Sequence, residues 1–113
     1  MFIPSVEQRR YFSVLKYVKG VIGNSSSGII EVPSFGIPTL NIGDRQKGRI
    51  AAGSVFNCGY SAKKIKDGLE KVFAYGQSTI VNPYYKEGTC QAILKIIKTY
   101  PLENIVQKHF YDL

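Results

Sequence analysis

A serine turn set between two short apolar runs constrains this chain more than any other feature. Residues 21 to 49 read VIGNSSSGIIEVPSFGIPTLNIGDRQKGR. Val21–Gly23 is apolar without polar alternation, which predicts an interior parallel strand covered on both faces. Three serines and Gly28 follow and lead into a short helix. Thr39–Ile42 reads as the next strand, Gly43-Asp44 as a turn, and an arginine-bearing loop comes after it. A strand ending in a Gly/Ser turn that opens a helix is a ready anion site. The first helical amides have no backbone partner, and the helix dipole adds roughly half a positive charge there.

The flanking sequence supplies helices. Ser5 and Gln8 have the spacing of a capping box, and Tyr11, Val14, Leu15 and Val18 fall at helical intervals, predicting a helix over residues 5 to 17 or 18. Lys19-Gly20 is read as its end, with the glycine as C-cap. Gly36 and Pro38 end the helix of the central stretch. Pro33 within it removes one hydrogen bond and should kink or shorten it, which leaves its start open to lie beyond Gly28. Residues 54 to 57 suggest a further short strand ended by Cys58-Gly59. Ser61 then caps a helix with Ile65, Leu69, Val72 and Phe73 on one face, stopped by Gly76. Asn82-Pro83 is a turn. A last helix is expected over residues 89 to 100, its stripe made of Ile93, Ile96, Ile97 and Tyr100, and one or two more helical turns are expected in the tail, 102 to 113.

Strands alternating with helices imply an α/β fold with a parallel sheet. With 113 residues the chain is one domain at most, and two or three strands make a small sheet for four helices. The expectation is a single unit, residues 1 to 113, that is the truncated C-terminal piece of a Rossmann-like domain; it would otherwise need a partner chain to cover its edge.

Bulk properties exclude several functions. The net charge is +7, from 15 basic and 8 acidic residues, but the cations are dispersed and form no basic arm. Nucleic acid is therefore not expected as a partner. No apolar run approaches the ~20 residues of a membrane span, and Met1-Phe2-Ile3-Pro4 is too short and uncharged for a secretory signal. Cys58 and Cys90 lie outside any CxxC spacing, and one histidine, His109, makes a Cys/His metal site improbable. A reduced, cytoplasmic setting is expected.

The polar residues converge once the topology is considered. Parallel neighbours end on one edge of the sheet, about 5 Å apart, and ligands of open α/β sheets bind at that edge. The serine turn (Ser25, Ser26, Ser27, Gly28) leaves the first strand there, and Arg45 and Gln46 leave the second. Glu31 misses the capping-box register from all three serines. In a helix its side chain leans back over Ser27 and Gly28, where a carboxylate would repel phosphate but accept both hydroxyls of a ribose. Serines and amides for phosphate, Glu31 for ribose and Arg45 for charge form one nucleotide site. Taken singly, the serine turn could be a simple N-cap and the arginines an exposed loop.

The run NSSSG-x-x-E-x-P-S-F followed by N-I-G-x-R-Q-x-G-R resembles the C-terminal-domain signature of the UDP-N-acetylglucosamine 2-epimerases, and within them the hydrolysing branch. Weaker likeness extends through Asn82-Pro83-Tyr84 to the HFYDL tail. The resemblance implies a GT-B architecture of two Rossmann-like domains with the active site between them. It implies that Ser25, Ser26 and Glu31 contact UDP and that Arg45 supports the diphosphate or the sugar. Gly28 belongs to the same turn, and Ser27, Gln46 and Arg49 are further candidates. The implied reaction is loss of UDP from UDP-GlcNAc or a related UDP-sugar to give a glycal, then hydration that inverts C2, serving sialic-acid-type or cell-surface polysaccharide synthesis. No metal or organic cofactor is implied. The family's acid/base carboxylates and histidine lie mainly in the first domain, so no catalytic residue is assigned and the chain alone is expected to be inactive. Its partners would be the UDP-sugar and the missing N-terminal domain, with homo-oligomerisation left open and no membrane involved. Two alternatives remain: the C-terminal half of a GT-B glycosyltransferase, which the RQxGR segment argues against, and a non-catalytic nucleotide-sugar-binding module.

Overall fold

A computed structural model describes residues 3, 5–76 and 79–103. Three strands, β1 (Val21–Gly23), β2 (Thr39–Ile42) and β3 (Val55–Cys58), form a parallel sheet in the order β1-β2-β3. Val21 is in register with Thr39 and Gly23 with Asn41, while Thr39 pairs with Val55 and Ile42 with Cys58. The helices are α1 (Glu7–Leu15), α2 (Ser27–Ile30), α3 (Ala62–Ala74) and α4 (Thr89–Thr99), with a 3₁₀ turn at Val32–Phe35. This is the Rossmann-like α/β arrangement that alternating strands and helices predict.

Side-chain alternation assigns the faces of the sheet. Thr39 and Asn41 point to the α2 side, where the Thr39 hydroxyl donates to the Gly28 carbonyl at 2.8 Å. Leu40 points the other way, into α3, and is fully buried. Both helices approach so closely that only glycine fits at the contact. A Cβ on Gly28 would lie 2.7 Å from Thr39 Cγ2, and one on Gly68 would lie 2.5 Å from Leu40 Cδ1. Over the α2 face, Leu15, Val32 and Ile37 form a core cluster joined by Tyr11, Phe12, Val18, Val21 and Phe35.

The structure corrects several expectations. α1 begins at Glu7, because Val6 and not Ser5 occupies the N-cap, and no side chain caps it. It ends at Leu15, and the chain unwinds through the short-range bonds Lys16 N–Ser13 O and Tyr17 N–Val14 O. Its buried face is Tyr11, Phe12 and Leu15, with Val14 turned outward. Gly20 is no left-handed cap: a Cβ there would meet Val72 Cγ1 at 2.8 Å, so close approach is what it provides. β1 is not covered on both faces. It is an edge of the described sheet, and Ile22 on its α3 side is 53% exposed.

The central helix starts at Ser27, earlier than the position of Pro33 suggested, and breaks at Glu31 into the 3₁₀ turn that holds Pro33. Gly36 closes that turn in the left-handed conformation, φ 71°, as expected. β3 runs one residue later than expected and includes Cys58. On α3, Gly68 and Val72 are buried while Phe73, one residue beyond Val72, rotates off the face and is 70% exposed. α4 forms where expected, to Thr99, but its stripe of Ile93, Ile96, Ile97 and Tyr100 is exposed and no residue of it is buried. The tail beyond residue 103, with His109, lies outside the described residues.

Two stability predictions follow from these contacts. Leu40→Ala should cost about 3 kcal/mol and Gly68→Ala about 1 kcal/mol in urea unfolding. The double variant should be more stable than the sum predicts, because the new methyl enters the vacated space; strict additivity would contradict the packing. Separately, Ser61→Ala should lower stability by about 1 kcal/mol, since Ser61 Oγ accepts the Lys64 N–H at 3.3 Å. Ser5→Ala should change nothing measurable.

Candidate functional site

Two turns meet at the carboxyl edge of β1 and β2. The first is Asn24 to Gly28, leaving β1; the second begins at Gly43, leaving β2. They are joined directly: Gln46 Nε2 donates to the Asn24 carbonyl at 2.8 Å. Arg45, beside Gln46, is exposed, as are Asn24 and Ser25, while Ser26 and Ser27 are half-buried. The sequence-predicted residues from the two strands therefore share one rim of the sheet.

Hydrogen bonding within the serine turn decides which groups remain for a ligand. Ser25 Oγ accepts the Ser27 N–H at 3.3 Å, and the Gly28 N–H reaches the Ser25 carbonyl at 3.2 Å. The Ile29 and Ile30 amides both reach the Ser26 carbonyl. Ser27 Oγ donates to the Tyr11 hydroxyl of α1 at 2.7 Å. What is left, among the described residues, includes the amides of Ser25 and Ser26, the Ser25 O–H, whose oxygen only accepts, and the Ser26 hydroxyl, which makes no capping bond. With four residues, α2 carries only a fraction of the dipole that a full helix supplies. The short helix itself therefore offers little to an anion, and the donors left at this rim are those of the turn. Gly28 contributes by lying flat against β2.

Glu31 sits at the break between α2 and the 3₁₀ turn, half-buried. It lines an open groove of about 490 Å³ together with Ser25 and Ser27, walled by Tyr11, Phe12 and Val21. Glu31 and the serine turn therefore border the same groove, although the helix has ended at Ile30. On the other side of α2 a smaller cavity, about 270 Å³, is lined by Ile29, Asp44, Gln46, Lys47, Arg49 and Asn57. Gln46 and Arg49 belong to this second concavity, with α2 between it and the Glu31 groove. A larger space of about 610 Å³ follows β3 and α3. It contains none of the converging residues and runs along the outer edge of β3.

Several positioning contacts escaped the sequence reading. Pro33 has no N–H, and Ser34 N–H bonds the Glu31 carbonyl, so the Ile30 carbonyl has no helical donor. Asn82 Nδ2 supplies one at 2.8 Å and also reaches Ser34 Oγ at 2.6 Å. Asn82 Oδ1 accepts the Tyr84 N–H at 3.0 Å, and the Tyr84 hydroxyl donates to the Ile50 carbonyl at 2.9 Å. The Asn-Pro-Tyr turn is thus a strap across the C-terminal end of α2 and the 45–52 loop. On β2, the buried Asn41 donates to its register partner Asn57 at 2.8 Å. The signal for the strap was Asn-Pro, which marks a turn but not its distant partner.

The profile of the UDP-N-acetylglucosamine 2-epimerase family matches residues 1–98. The chain is 41% identical to "Polysialic acid biosynthesis protein P7" of Escherichia coli over 99% of its own length and 30% of that protein's. It is 36% identical to the GDP/UDP-N,N'-diacetylbacillosamine 2-epimerase (hydrolyzing) of Campylobacter jejuni, over 93% of this chain and 28% of the relative. It is 29% identical to the UDP-N-acetylglucosamine 2-epimerase of Neisseria meningitidis, over 97% and 30%. The chain therefore spans under a third of the length of these curated relatives. With the profile covering most of its residues, the chain belongs to the UDP-N-acetylglucosamine 2-epimerase family.

Proposed function

We propose that this chain is the C-terminal, nucleotide-binding part of a hydrolysing UDP-N-acetylglucosamine 2-epimerase. The whole enzyme converts UDP-GlcNAc or a related UDP-sugar to UDP and N-acetylmannosamine or its analogue, for sialic-acid-type or cell-surface polysaccharide synthesis. The observation that carries this reading is the hydrogen-bonded meeting of the serine turn and the Arg45 loop on one rim. In the first chemical step the C2 proton and the C1–O bond to UDP are lost, giving a glycal. Water then adds across the double bond, its oxygen to C1 and a proton to C2 from the opposite face to the one originally held.

In this scheme Ser25 and Ser26 donate to the diphosphate through their amides and the Ser26 hydroxyl. Arg45 offsets the charge that accumulates on departing UDP, an electrostatic role in the transition state. Glu31 accepts the ribose hydroxyls from its groove. The acid and base that move the C2 protons come from the rest of the enzyme, so the chain alone binds UDP weakly and does not turn over a UDP-sugar. Its working partner is the preceding domain of the same enzyme. Among the described residues no helix is long and apolar enough to cross a membrane, and Cys58 and Cys90 are free. Both are in keeping with a cytoplasmic enzyme acting on a nucleotide sugar.

Titration of the chain with UDP and UMP tests the diphosphate assignment: UDP should bind more tightly, and Ser26→Ala or Arg45→Ala should weaken it by ~1–3 kcal/mol, the range for a charged hydrogen bond. Equal affinities for UDP and UMP would remove the diphosphate from the serine turn. For the ribose, Glu31→Gln should weaken UDP markedly while leaving 2′,3′-dideoxy-UDP almost untouched. Equal losses for the two nucleotides would take Glu31 off the ribose.

A further inference from the structure

Gln46 is the most deeply buried polar residue at the rim, 6% exposed in a loop whose neighbours Arg45 and Lys47 are solvated. Its Nε2 donates to the Asn24 carbonyl at 2.8 Å. Only a donor can face that carbonyl, which fixes the amide's orientation and sends Oε1 the other way. Oε1 is closed to bulk water and receives no hydrogen bond among the described residues. Leaving an acceptor buried and unmet costs stability. The amide's one satisfied bond ties the turn of β1 to the loop of β2.

We propose that Gln46 is a positioning residue for the diphosphate: through Asn24 it sets the free amides of Ser25 and Ser26 at a fixed distance from the Arg45 guanidinium. This deepens the reading given above and rests on it. Gln46 does not touch the nucleotide in this account; its side chain lies against the far cavity with Asp44 and Asn57, away from the Glu31 groove. The consequence is selective. Ribose binding through Glu31 needs only α2 and its groove, whereas gripping two phosphoryl groups needs the two turns held in register. Loss of the clamp therefore lowers the preference for UDP over UMP more than it lowers UMP binding itself.

The test is Gln46→Met, which keeps length and bulk but removes both the donor and the stranded acceptor. The expected result is an unchanged or higher urea midpoint, altered amide shifts and faster amide exchange at residues 25–28 without ligand, and a UDP-to-UMP affinity ratio reduced about tenfold. A lowered midpoint with the ratio intact would make Gln46 merely structural and overturn the proposal, as would unchanged turn amides. If the variant does not fold, the wild-type side-chain amide decides. Its protons should exchange slowly with solvent and shift on UDP addition, and exchange at the rate of a free glutamine would overturn the clamp. The ligand-free readouts separate this proposal from the nucleotide assignment. Turn amides that respond to Gln46→Met in a chain that ignores UDP would retain the clamp and remove its purpose.

Discussion

Parallel pairing of β1 with β2 is the constraint on which the rest depends. With Val21 opposite Thr39 and Gly23 opposite Asn41, the two strands end together, and whatever follows them must emerge on one rim. The connection must return to the start of the sheet over one face, and the segment from Ser27 to Ile37 does so in a single short crossing. That crossing is tight enough to require glycine where α2 lies against Thr39. A side chain at Gly28 would lift α2 off the sheet and carry the serine turn with it. The same economy of space holds on the other face, where α3 meets Leu40 at Gly68.

The second determinant is proline. Pro33 stops α2 after four residues and converts the remainder of the crossing to a 3₁₀ turn. This costs a helical hydrogen bond and most of the dipole, yet it leaves Glu31 at the break, free to reach back to the serine turn. The carbonyl left without a helical donor is met from fifty residues downstream by Asn82. The 82–84 segment also holds the Ile50 carbonyl through Tyr84. The strap thus ties the C-terminal end of α2 to the loop that follows β2, joining three separate pieces of sequence.

How much of this was readable in advance follows from the range of the interactions. Val21–Gly23 and Thr39–Ile42 are found where apolar runs bounded by glycine and proline place them, and Ser61 caps α3 as its spacing implies. These are local signals. The convergence of Ser25 and Arg45 on one edge was also legible, because it needs only the handedness and polarity of a βαβ unit. The failures are equally specific. Ser5 looked like a cap, but a capping box is a sequence pattern and the helix started two residues later. β1 read as interior because its composition is apolar, whereas neighbours and not composition decide whether a strand is at an edge. The roles of Gln46 and Asn82 depend on partners 22 and 52 residues away, and no periodicity reports contacts of that kind.

An unpaired edge at β1 and an unburied helix at α4 mark a chain whose apolar surfaces exceed what its own described residues cover. That agrees with relatives more than three times as long. The central claim, however, concerns the rim alone and is testable on this chain. Backbone amide shifts recorded during titration with UDP give the most direct measurement. The account predicts that Ser25, Ser26, Glu31 and Arg45 move together with a single binding constant. Shifts centred on β3 and α3, with the serine turn unmoved, would contradict it.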